Sequence, residues 1–148
     1  MKIPKKLRRE DGAAAVEFAL IVGVLVMLIF GMLQFGLAFF ELQTLRSAAR
    51  EGARVAAVGG SDADVRSRVN EFVNGNPLPD AAIDITPSGG CPDPQDLGPD
   101  DQVGVTIDLA AAPTVQEIFT LNIPLLPQIQ MNPNIEGVFR CEGAVQQA

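Results

Sequence analysis

Histidine is absent from this sequence of 148 residues, which removes the commonest general base and the commonest metal ligand together. The sequence also lacks a nucleophile elbow, a phosphate-binding glycine loop and a metal-ligand cluster, so no enzyme is expected and no cofactor is implied. Positive charge is scarce: 11 Lys and Arg stand against 18 Asp and Glu, for a net charge of -7. Residues 81–148 carry nine acids and one base, Arg140. Neutralising phosphates needs clustered Lys and Arg, so nucleic acid is not an expected partner. Proline is missing between Pro4 and Pro77, and nothing in that stretch forbids a long helix. Cysteine occurs only twice, at Cys91 and Cys141.

What the chain has in abundance is one apolar run, GAAAVEFALIVGVLVMLIFGMLQFGLAFF, from Gly12 to Phe40. The 23 residues from Phe18 to Phe40 carry no formal charge. At about 1.5 Å per helical residue they reach roughly 34 Å, enough to cross a hydrocarbon core of about 30 Å with a modest tilt. The segment is expected to anchor the chain in a membrane. Lys2, Lys5, Lys6, Arg8 and Arg9 precede it, and short flanks rich in Lys and Arg stay cytoplasmic, so residues 41–148 are expected outside the cytoplasm. The basic flank also suits anionic lipid of the inner leaflet.

The expected fold is α+β, with four parts: a cytoplasmic leader at 1–12, a transmembrane helix at 13–40, its extension at 41–60 and a small extracytoplasmic module at 61–148. Leu42, Leu45, Ala49, Ala53 and Ala56 recur at spacings of three and four, which carries the helix on to Val58, where Gly59-Gly60 stops it. Ser61 and Asp64 have the spacing of a helix cap before a second helix, with Val65, Val69, Phe72 and Val73 on its apolar face, and Asn74-Gly75-Asn76-Pro77 ends it. Ala82–Thr86, Val103–Leu109 and part of Ile135–Cys141 read as strands of a short antiparallel sheet. Between the last two, Pro124 and Pro127 predict a loop, with a turn of helix over Thr114–Leu121.

Two cysteines in a small module outside the cytoplasm suit one bridge within the chain, against free thiols or bonds between chains. The Pro, Gly and Asp-rich loop at 87–102 holds Asp93, Asp96, Asp100 and Asp101, which have oxygen ligands for calcium but no EF-hand spacing; a solvated acidic loop is the plainer reading. Within the span, Gly23, Met27, Gly31, Gln34 and Ala38 lie along one side, and Gly23, Gly31 and Gln34 make a candidate surface for packing on other helices. Arg46, Arg50 and Arg54 form a basic stripe that reads either as a solvated face or as a contact for an acidic partner. Glu17 is costly inside the apolar run unless it is paired or reaches interfacial water.

The run Arg8-Arg9-Glu10-Asp11-Gly12-Ala13-Ala14-Ala15-Val16-Glu17-Phe18-Ala19-Leu20, followed by Ala48-Ala49-Arg50-Glu51-Gly52-Ala53-Arg54, resembles the TadE-like pseudopilins of tight-adherence (Flp-type) pilus systems. That resemblance implies a minor pilin or pseudopilin of the bacterial inner membrane, single-pass with the N-terminus cytoplasmic and the C-terminus periplasmic, supporting pilus assembly. It implies a prepilin peptidase that cuts between Gly12 and Ala13, with Glu17 and Phe18 serving processing and subunit register. Its partners would be that peptidase, other pilin or pseudopilin subunits, the assembly machinery and membrane lipid. Phe18 stands where major pilins often carry tyrosine and the chain is longer than they are, which favours an accessory subunit. Two alternatives stay open: an uncleaved membrane scaffold, and a secreted chain cut after Ser47-Ala48-Ala49. The second is weaker, because a signal-peptide core of about 7–15 residues is much shorter than this run.

Overall fold

A computed structural model describes residues 9–73, 77–92, 96, 98, 100–121 and 127–141. Residues 1–8 of the leader, the helix-ending Asn74–Asn76, Asp93 and Pro124 lie outside the described residues. The chain divides into two compact units, Met1–Gly36 and Leu37–Ala148, yet one helix, α1 (Arg9–Ala57, 49 residues), runs through both. It starts before Ala13 because nothing in Arg9–Gly12 breaks a helix.

The first unit is described entirely by α1. Its apolar side chains are exposed on all sides, Phe18 to 69% and Phe30 to 66%. The helix is long and apolar enough to cross a membrane, and none of its most apolar window is buried. Such a surface needs an apolar medium or protein partners.

The second unit has a core of its own. α1 ends in a Schellman motif: Gly60 N–H donates to Val55 O at 3.0 Å and Gly59 N–H to Ala56 O at 3.1 Å. Gly59 adopts φ 88°, which a residue without Cβ takes readily. Ser61 then caps α2 (Asp62–Phe72) with a reciprocal box: Asp64 N–H donates to Ser61 Oγ, and Ser61 N–H to the Asp64 carboxylate. Those hydrogen bonds, the hydroxyl's first and the amide's second, hold Asp64 below its usual pKa. Val65, Val69 and Val73 are buried as expected, but Phe72 is exposed. It lies beneath the guanidinium of Arg68, 5.3 Å from the ring centroid, rather than in the core.

β1 (Ile83–Thr86), β2 (Gln102–Ile107) and β5 (Ile135–Arg140) form an antiparallel sheet in the order β1-β2-β5. Ile85 pairs with Val105 and Val105 with Gly137, all three buried. Alternation turns Asp84, Thr106 and Glu136, the adjacent row, to the opposite face. The connection from β2 differs from the expected turn of helix over Thr114–Leu121. It has one helical turn, α3 (Pro113–Gln116), a 3-10 turn at Glu117–Phe119, and then β3 (Thr120–Leu121), which pairs with β4 (Ile129–Gln130). Phe119 is buried and its carbonyl accepts from Met131 N–H, so a tertiary anchor ends the helix there. Cys91 and Cys141, 50 residues apart, are joined with Cα atoms 5.7 Å apart.

Candidate anchor and packing segment

Gly12 and Ala13 lie inside α1 and are exposed. A Cβ added at Gly12 would meet nothing within 4 Å. Gly12 therefore does not mark a break between leader and helix, and a peptidase needing extended backbone would have to unwind the first turns. Glu17 and Phe18 are exposed on the same helix. No described residue gives Glu17 a hydrogen bond or an ion pair. Ala13 and Glu17 are four apart, which sets them on one face about 5–6 Å apart at Cβ.

Farther along, Gly23 and Gly31 also have open space where a Cβ would stand, and Gln34 is half-buried. No neighbour within the chain uses the Gly23 and Gly31 positions. Ala38 behaves otherwise. It is only 2% exposed, part of the second unit's own core, so it does not extend the free face as its spacing suggested.

The stretch from Ala48 to Arg54 is a packing surface. Ala48, Ala49, Gly52 and Ala53 are buried, while Arg50 and Arg54 are exposed. A Cβ at Gly52 would stand 2.5 Å from Val69 Cγ2, so α2 approaches this turn as closely as glycine permits. On β5, a Cβ at Gly137 would stand 2.5 Å from the backbone carbonyl of Ala49. Small residues on both sides thus bring the strand against the helix backbone. Glu51 accepts from Arg68 Nη2 at 3.0 Å and lies 3.6 Å from Arg54. Arg68 also reaches Glu71 at 2.7 Å, and Glu71 first, then Glu51, hold its pKa above the ordinary arginine value. Glu51 therefore ties α1 to α2, a larger role than partnering Arg54 on one helix.

Gly137 and Arg68 were not read from the sequence as packing or tethering residues. An isolated glycine within a strand pattern is a signal for close backbone approach; Arg68 has no such signal. In the acidic loop, the carboxylate of Asp101 accepts from Gly98 N–H at 2.7 Å. Among the described residues no three His, Cys, Asp or Glu side chains gather as a metal would require.

One helix suited to a membrane and a small disulfide-stapled α+β module are compatible with a single-pass membrane protein. Residues 12–54 match the family of TadE-like proteins, a family associated with tight-adherence pilus systems. The match begins at Gly12, takes in the whole apolar run and ends at Arg54, after the small-residue packing surface. Neither a curated protein nor a solved structure matches the chain.

Proposed function

We propose that the chain is a pilin-like accessory subunit supporting assembly of a Flp-type adhesive pilus, with α1 as its anchor and the stapled module in the periplasm. The observation that carries this reading is the TadE-like match that opens at Gly12, on a helix whose apolar side chains find no core within the first unit. A prepilin peptidase cutting between Gly12 and Ala13 would leave a cationic amine one turn from Glu17. That amine offsets the cost of the carboxylate in a low-dielectric setting, within one chain or across to the next. Paired in this way, Glu17 fixes the axial register between neighbouring subunits, while Gly23, Gly31 and Gln34 offer a close-packing face.

Helical backbone through Gly12 favours a second reading, an uncleaved single-span scaffold that never enters a filament. Intact mass and N-terminal peptide analysis of protein from its native membrane separates the two. A chain beginning at Ala13 is expected, and one retaining the leader would leave the scaffold. In cells, Glu17→Ala is expected to permit insertion and cleavage but impair pilus production; normal piliation would remove the register role.

A further inference from the structure

We propose that the basic face of α1 docks on the acidic end of the sheet in a second copy of this chain, head to tail. Arg46, Arg50 and Arg54 stand one turn apart each, so like charges repel along that face. Arg50 donates to Ser47 Oγ, and among the described residues no acid pairs with Arg46 or Arg50. Arg54 has Glu51 at 3.6 Å, but Arg68 holds that carboxylate at 3.0 Å. The complementary charge lies on the sheet. Asp80, Asp84 and Asp108 line a groove of about 720 Å³ with Thr106 and Arg66, and Glu136 extends it across the Asp84–Thr106–Glu136 row. No described cation forms an ion pair with these four acids. Arg66 directs its Nη1 to the carbonyls of Asp80 and Ile83.

The two charged surfaces fit a second copy better than each other. Asp84 and Glu136 lie on the sheet face opposite the one that packs on α1, so the arginines of the same chain cannot reach them. They are nevertheless level along the helix. Gly137, one residue from Glu136, sits against the Ala49 carbonyl and the Arg50 nitrogen. Two copies with parallel anchors therefore bring stripe and groove together without an axial shift. Because the surfaces differ, the contact is heterologous and can repeat from copy to copy. It requires neither leader cleavage nor a filament, so it can fail or hold independently of the pilin reading.

The test uses the full chain in phosphatidylcholine vesicles, with a photo-reactive residue replacing exposed Gln43, which shares the face of Arg50. Crosslinks are expected to a second copy within the peptide from Pro79 to Ile85 or around Asp108. Arg50→Glu and Asp84→Arg should each cut that product about tenfold, since each replaces attraction by repulsion at a close charge pair. Mixing the two variants should restore it, which also shows that both fold. Salt at about 1 M, where the Debye length is near 3 Å, should weaken the wild-type contact. Crosslinks confined to the span or to lipid would overturn the proposal, as would a yield indifferent to both reversals. Addition of native membrane extract gives the last arm: replacement of the self-product by a crosslink to another acidic protein would overturn it as well.

Discussion

The two halves of α1 use the same residue types to different ends. Gly23 and Gly31 face open space, whereas Gly52 and, across from Ala49, Gly137 stand where a Cβ would collide with a neighbour. Small residues let backbones approach, and the approach has been completed inside the chain in one half only. The other half keeps its apolar surface outward, as a helix in lipid or among other helices must. Both halves are spanned by one TadE-like match, so a shared sequence signature covers two kinds of packing, one for the chain's own fold and one for what surrounds it.

The difference can be broken most severely at the disulfide, which belongs to the second unit alone. Replacing Cys91 and Cys141 by serine reopens a loop of 50 residues, a loss of roughly 4 kcal/mol on the chain-entropy account. The module is expected to become protease-sensitive while the anchor still inserts. Equal protease resistance of the two proteins would mean that the core suffices without the staple. Next comes Gly137→Val, set against Gly31→Val. The first drives a side chain into the Ala49 backbone and is expected to destabilise the module by about 3 kcal/mol. The second meets nothing within 4 Å and should leave module unfolding unchanged, acting only on association with other helices. Equal effects on unfolding would erase the contrast between the halves. A smaller effect is expected from Ser61→Ala, about 1 kcal/mol for a lost helix cap, read as a shift in the module's denaturation midpoint.

These contrasts also show what could be read from the chain before its fold was known. The long helix, the Ser61 cap and the three-stranded sheet follow from local rules: an apolar run, a capping pair and period-two alternation. What was hidden depended on partners distant in sequence. Phe72 was placed in the core by its spacing, but Arg68 holds it at the surface. Ala38 was counted with the free face of the span, yet the second unit buries it. The β3–β4 pair needs Phe119 and Met131 to meet, which no period announces. The arginine stripe was visible, whereas the acid row formed by Asp84 and Glu136 exists only once the strand register is known.

The finest test of the module concerns Asp64, because its carboxylate is stabilised locally and at the surface. Hydrogen bonds from Ser61 lower its pKa in the folded chain relative to the ordinary value of 3.8. A depressed carboxylate contributes stability that is fully present above the unfolded value and is lost as pH falls through the folded one. The contribution should therefore be intact at neutral pH and fade below pH 3.8. Ser61→Ala removes the hydroxyl that makes the largest contribution to the shift, so its cost should itself depend on pH. Denaturation of the two proteins should differ most above the carboxylate range and converge in acid. A difference that stays constant through that range would assign the effect of Ser61 to its bond with the Asp64 amide and not to the carboxylate. The reciprocal half of the cap would then contribute nothing measurable to holding α2 behind the Gly59-Gly60 turn.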